Sequence, residues 1–341
     1  MMFDFSPYID LALIWGVIIG VAIFMYVFLD GFDLGIGILF PFAPSDKCRD
    51  TMMNSVAPFW DGNETWLVLG GGGLLVAFPL AYSILLPAFY IPIIVMLLGL
   101  ILRGVAFEFR FKAIKKRRWI WDYSFHFGSL IASFSQGIIV GSYVQGVHVE
   151  GRNFAGGPFD WATGFSMMTG IAVIFGYALI GASWIIMKTT GETLKWARQV
   201  ASYCLIYVCF FMLLVSVCMP FVELQVVELW FTFPNFIYLA PIPISAAVMI
   251  FIIWYDLNYS KAEYRPFFLS IGLFLTGYLG LTISIYPWII PFHYTIWDAA
   301  SSNRSLSLML VGVVPLLPII LAYTAYAYYV FRGKSSAERL Y

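Results

Sequence analysis

Leu29–Gly37 reads LDGFDLGIG, and Pro58–Trp66 reads PFWDGNETW. Both lie inside apolar runs long enough to cross a bilayer, yet together they carry Asp30, Asp33, Asp61 and Glu64. A carboxylate deep in a bilayer is costly, so it faces a protein interior or a water path rather than lipid. Asp30 and Asp33 are three residues apart, as are Asp61 and Glu64, so each pair falls roughly on one helix face. Gly31, Gly35 and Gly37 leave little side-chain bulk around the first pair, and small residues let helices approach closely in lipid.

The rest of the chain fits a membrane setting. Of its 341 residues 61% are hydrophobic and 11% charged, with mean hydropathy +0.86. A soluble domain carries about 25% charged residues. There is too little polar surface here to cover a soluble globule, so the fold class is an all-α polytopic membrane protein, one integral domain over 1–341. A formal net charge of zero and the lack of a basic arm give nucleic acid nothing to bind. Cys48, Cys204, Cys209 and Cys218 have no CxxC spacing and read as small apolar side chains. Met1–Asp10 has no basic segment or small-residue cleavage site, so the first apolar run is expected to be a retained helix.

About nine spans are expected: 9–40, 54–78, 82–105, 123–147, 163–187, 197–220, 235–256, 267–290 and 305–331. Interior prolines such as Pro58, Pro92, Pro315 and Pro318 are expected to kink or open their helices. All of the 19 Lys and Arg residues except Arg152 and Arg304 fall on one side of this arrangement. By the positive-inside rule that side is cytoplasmic, with the N-terminus outside and the C-terminus in the cytoplasm. Asp30 then lies about 10 residues, or about 15 Å, from the cytoplasmic end of its span. Asp61 is expected at similar depth, so the two motifs can meet in the cytoplasmic half.

One reading is a hydrated carboxylate track that admits protons from the cytoplasm or balances charge near an electron-transfer centre. The competing reading is that the carboxylates cap helix breaks or pair with Arg103 and backbone donors. Gly70–Gly73 has no following Lys-Ser/Thr and reads as close packing rather than a phosphate loop. Trp121-Asp122, Asp160-Trp161 and Trp297-Asp298 sit near span ends, where Trp anchors belong. Trp60-Asp61 differs in lying within a span. The three histidines are His126, His148 and His293, of which only His126 lies well inside a span. A haem with two His ligands needs a facing pair at matched depth, so no haem and no metal is expected on this chain.

LDGFDLGIG, then NSVAPFWDGNETWLV from Asn54, then TIWDAASSNRSLSLML from Thr295 together resemble subunit II of the cytochrome bd quinol oxidases. The resemblance covers essentially the whole chain. It implies nine helices, two four-helix bundles plus one peripheral helix. It also implies a heterodimer with a haem-bearing subunit I, often with small single-span subunits. Two b-type haems, one d-type haem and the quinol site would lie on subunit I. The complex would oxidise quinol, reduce dioxygen to water and generate proton motive force. Asp61, Trp60 and Asp30 match the family's polar residues of a proton route, with Glu64 a weaker member and Arg103 a partner. The alternative is a proton-coupled secondary transporter. Such proteins show broken helices in corresponding halves, whereas the acidic pairs here lie only in the first two spans.

Overall fold

Proline, capping side chains and glycine set where each apolar run becomes a helix. The structure, a computed structural model, describes residues 9–337. Arg339 and most of the Met1–Asp10 segment therefore lie outside the described residues. The long helices are α1 (Leu11–Leu39), α3 (Trp60–Ala77), α5 (Tyr90–Arg110), α6 (Arg118–Gln145), α7 (Gly164–Lys188), α8 (Gly191–Val222), α11 (Pro241–Asn258), α12 (Arg265–Ile285) and α14 (Asn303–Val330). Between them lie α2 (Asp46–Val56), α4 (Pro79–Ala88), α9 (Leu224–Phe231), α10 (Asn235–Leu239) and α13 (Ile296–Ala299). Two antiparallel hairpins complete the chain: β1 (Val149–Glu150) with β2 (Asn153–Phe154), and β3 (Trp288–Ile290) with β4 (Tyr294–Thr295).

Among the described residues eight helical segments are long and apolar enough to cross a membrane. The expected span at 54–78 is not one of them. Its helix, α3, is 18 residues long but carries Asp61, Asn63, Glu64 and five glycines, which lower its hydropathy. Nor does it begin at residue 54. Pro58 has no amide hydrogen to donate, and the chain breaks at Ala57–Phe59 between α2 and α3. Asp61 is thus in the first turn of a helix rather than well along one. The span expected at 82–105 begins at Tyr90, because Pro79, Pro87 and Pro92 crowd a separate short helix before it. The run from 235 is likewise divided, at Ala240 before Pro241. The run expected to reach 290 stops at Ile285 before Pro287, and its end joins the β3–β4 hairpin.

Helices α1, α3, α5 and α6 form one group, and α7, α8, α11 and α12 a second. The groups meet where α7 packs on α1 and α6, and α14 lies outside against α1 and α3. Two glycine crossings make this packing possible. A Cβ on Gly35 would sit 1.9 Å from the Tyr177 carbonyl oxygen, and one on Gly181 would sit 2.6 Å from the Gly35 carbonyl carbon. On the other side, a Cβ on Gly99 would lie 2.7 Å from the Gly128 carbonyl, and the reverse approach is 2.6 Å. In lipid, where the hydrophobic effect does not drive helices together, backbone approach of this kind supplies the van der Waals contact.

The larger core lies near the basic end of the bundle, with Phe32 stacked on Trp184 at 4.3 Å and Phe59 stacked on Tyr328 at 4.3 Å. A smaller core at the opposite end gathers Trp15, Phe78, Ile84, Ile290 and Leu306. The segment after α14 forms a strap across the basic end. Ser335 donates its amide to Lys188 O at 2.7 Å and its hydroxyl to Thr51 O at 3.0 Å, while Asn54 donates to Ser336 O at 2.9 Å.

Candidate functional site: a buried acidic cluster on α1

Every residue from Leu29 to Phe40 is buried, because this half of α1 is enclosed by α3, α6 and α7. That enclosure is what admits carboxylates to the run. Asp30 is 0% exposed, and its Oδ1 accepts a hydrogen bond from Arg103 Nη2 at 2.5 Å. Arg103, on α5, is also 0% exposed. Its Nη2 lies 3.6 Å from Glu64 of α3, and its guanidinium sits 5.7 Å from the Trp60 ring centre. Trp60 is itself stacked on Phe107 at 5.1 Å, which fixes the wall beside the arginine.

Asp33, one turn further along α1, is fully buried as well. Among the described residues it forms no ion pair with an arginine. Its Oδ2 accepts from Asn63 Nδ2 at 2.8 Å, and the same amide also donates to Leu29 O at 3.1 Å. Asn63 Oδ1 in turn accepts from the Tyr328 hydroxyl at 2.9 Å, so α14 closes the cluster. Asp30 Oδ2, Asp33 Oδ1, Arg103 Nε and Arg103 Nη1 are buried without a protein hydrogen bond among the described residues. Buried polar atoms left open in this way are the pattern of an internally hydrated site.

Of the five candidates, the fold brings Asp30, Arg103, Glu64 and Trp60 together. Asp61 stands apart. It is exposed, and among the described residues its side chain has no ion-pair partner. The two motifs meet, but through Asn63 and Glu64 rather than through Asp61. From Asp61 an exposed row continues along α3 through Thr65, Val68, Gly72 and Leu75. Asn63 and Asp33 were on the page as sequence, inside the quoted motifs. Nothing in sequence pointed to Tyr328, 265 residues from its partner.

A second charged group lies two turns along α5. Arg110, 1% exposed, donates to Asp122 and Asp50 at 2.5 Å each, with Arg118 3.7 Å from Asp50 and Arg49 paired to Asp46. Asp122, read from sequence only as the neighbour of a Trp anchor near a span end, is therefore a salt-bridge partner. His126 has its Nδ1 3.3 Å from Gly37 O and its ring edge-on to Phe42.

The family profile of cytochrome bd terminal oxidase subunit II matches residues 11–331. The chain belongs to the cytochrome bd oxidase subunit II family. It is similar to the cytochrome bd-I ubiquinol oxidase subunit 2 of Escherichia coli strain K12, at 30% identity over 96% of each chain. The cytochrome bd ubiquinol oxidase subunit 2 of Bacillus subtilis strain 168 is 29% identical over 95% of this chain and 96% of its own. The fold matches a chain of the bd oxidase from Geobacillus thermodenitrificans with a TM-score of 0.73 at 14% identity, covering 95% of this chain and 99% of that one. Membership makes the chain one subunit of a terminal oxidase of the respiratory chain, a multi-pass protein of the bacterial cytoplasmic membrane. It also implies a subunit I partner and haems within the complex.

Proposed function

We propose that this chain is the haem-free subunit II of a quinol:oxygen oxidoreductase, supporting assembly of a haem-bearing subunit I and carrying protons toward its haems. The observation that carries this reading is the composition of the buried cluster. Three carboxyls, Asp30, Asp33 and Glu64, are gathered around one guanidinium, Arg103, which pairs with Asp30 and Glu64 while Asp33 accepts from Asn63, and open polar atoms remain among them. A surplus of acids over bases with open polar atoms between them can hold a proton and pass it on. Glu64 is half-buried, and so connects the sealed pair to the uncovered face of α3 where Asp61 stands. An ionisable side chain on a membrane helix calls for a protein or water neighbour, and subunit I is the occupant proposed for that face. Orientation follows the basic residues, with the N-terminus outside and the C-terminus in the cytoplasm.

The haems and the quinol site are assigned to subunit I because the donor set here does not fit a haem. An axial histidine presents a ring nitrogen to iron while the other is held by a hydrogen bond. His126 meets the second condition through Gly37 O, but its ring packs against Phe42 and Phe127, and no second histidine faces it. His148 lies beside Glu150 in the exposed β1 strand, and His293 is in the β3–β4 turn.

The test is stopped-flow proton uptake and oxygen consumption by the purified complex carrying Asp30→Asn or Asp61→Asn, with haem spectra recorded in parallel. Slowed uptake with intact spectra supports the proton route. Loss of haem would instead make the residues assembly elements, and normal turnover with normal uptake would end the proton reading.

A further inference from the structure

The acidic cluster has an extension that the proton reading does not use. One turn before Asp30 on α1, Tyr26 lies on the same helix face as Asp30, whose Oδ2 has no protein hydrogen bond among the described residues. Gln136 of α6 donates from Nε2 to the Tyr26 hydroxyl at 2.8 Å. On its far side, Gln136 Oε1 accepts from the hydroxyl of Tyr177 on α7 at 2.6 Å. Tyr26 is 4% exposed and Tyr177 2%. The geometry is held firmly, since Gly31 lets the Tyr177 ring lie against α1 and Phe274 stacks on its other side at 5.7 Å. Tyr26, Gln136 and Tyr177 thus form a line of side-chain hydrogen bonds leading away from Asp30, toward the end of the bundle opposite the basic residues.

The α6–α7 seam continues that way with polar side chains. Thr169 donates to Gly137 O at 2.8 Å, and Thr163 near the helix start is hydrogen-bonded to Ser166 at 3.1 Å and to Gln145 at 2.5 Å. Such a seam, next to a group that exchanges protons, is a route by which protons could cross without doing work.

A hydroxyl passes a proton by accepting one on oxygen while releasing its own to a neighbouring acceptor. At Tyr26 that release is blocked. The neighbour on the far side is an amide N–H, already a donor aimed at the phenol oxygen, so the Tyr26 proton has no acceptor there. Gln136 itself can hand on a proton only by giving up an amide hydrogen, which a neutral carboxamide does not do near pH 7. With its oxygen engaged by the amide, Tyr26 keeps its hydrogen for the side where Asp30 Oδ2 has no protein donor among the described residues. We infer that Gln136 is an insulating residue: it fixes Tyr26 as a donor to Asp30 and ends the proton route there, so that protons reaching the cluster are not lost across the other half of the membrane. This inference rests on the proton reading of the cluster and adds a direction to it.

The test replaces the amide by a group that can both take and give a proton. In Gln136→Glu, a neutral carboxyl accepts the Tyr26 proton on its carbonyl oxygen as it releases its hydroxyl proton to the Tyr177 oxygen, and Tyr177 passes its own proton onward. The purified oxidase complex is reconstituted into vesicles loaded with a pH-sensitive dye, and passive proton flux under an imposed potassium diffusion potential is measured without quinol or turnover. The expected result is a several-fold faster flux for Gln136→Glu than for wild type, returned to the wild-type rate in the double variant Gln136→Glu with Tyr26→Phe. A tight Gln136→Glu vesicle overturns the inference. So does a leak that Tyr26→Phe leaves unchanged, because it would then run through loosened packing. If the glutamate variant fails to assemble, Gln136→Ser offers a smaller hydroxyl relay, with the same expected leak and the same cure by Tyr26→Phe. Asp30→Asn measured alongside separates the two ideas. Normal turnover and proton uptake in Asp30→Asn removes the proton reading, whereas slow uptake there with tight Gln136→Glu vesicles removes the insulator alone.

Discussion

Helix α5 carries two buried arginines two turns apart, Arg103 and Arg110, and they keep different company. Around Arg110 the charges balance, with Arg49, Arg110 and Arg118 set against Asp46, Asp50 and Asp122. Those carboxylates are partly open to solvent, and Arg110 lies 5.0 Å over Phe40. Around Arg103 there is one base for three acids, and Arg103 and Asp30 are sealed from solvent. A balanced network at the end of the bundle ties α2, α5 and α6 together. An unbalanced one in the interior gains little as a fastening, because desolvating the charges offsets much of their attraction. The surplus of acid therefore points to chemistry, and the balanced cluster to architecture.

Substituting each arginine should separate the two most sharply. Arg103→Met leaves Asp30 and Glu64 without the one cation that pairs with them among the described residues, and removing one partner of a buried pair costs about 3–5 kcal/mol. The expected outcome is loss of assembled, haem-containing complex on purification. Arg110→Met leaves Asp50 close to Arg118 and Asp122 near Arg49, at a partly solvated site, and should cost about 1–2 kcal/mol. Thermal unfolding of the complex should show a lowered midpoint with haem content retained.

Asp30→Asn tests the interior cluster for chemistry rather than stability. Asparagine keeps the shape and can still accept from Arg103, so the complex should assemble. Proton uptake should nevertheless slow by about tenfold or more, the scale of a lost acid–base group. Asp61→Asn should have a smaller effect, a several-fold drop in turnover with no change in unfolding midpoint, because its side chain makes no ion pair to lose. Equal rates in both variants would remove the distinction between the sealed cluster and its uncovered approach.

The smallest effect belongs to a carboxylate that is purely structural. Asp10 caps α1 by accepting from the Leu13 amide at 2.9 Å, and its other oxygen accepts from the Trp297 indole at 2.7 Å. The Leu13 amide first, and the indole second, hold this carboxyl below its ordinary range. Its contribution is therefore full above the unfolded value of about 3.9 and lost as pH falls through the lower folded value. Asp10→Ala should lower stability by about 1 kcal/mol at neutral pH, and the difference from wild type should vanish in strong acid. Unfolding midpoints measured down a pH series would check both.

Much of this was legible in the chain. Long apolar runs, one-sided Lys and Arg, and glycine beside acid gave an all-α membrane fold and drew attention to Asp30 and Arg103. Local breaks were harder to read. Hydropathy averages across Pro58 and merges α2 into α3, so Asp61 was expected deeper in its helix than it is. The partner of Asp33, Asn63, was not singled out because a helix enclosed on every side leaves no stripe to read. The Asn63–Tyr328 and Tyr26–Gln136–Tyr177 contacts join helices distant in sequence, and neither has a local signature. Only packing reveals them.

The link from Asn63 to Tyr328 also bears on how the protein is made. The acids at 30 and 33 enter the membrane early in synthesis, and the hydroxyl that completes their amide neighbour is made 265 residues after that amide. Until α14 arrives, and its trailing strap clips onto Thr51, Asn54 and Lys188, Asn63 Oδ1 lacks its protein donor. A nascent chain halted after its eighth long helix would hold an acidic interior that is inserted but unfinished. Closure of the site therefore waits on α14.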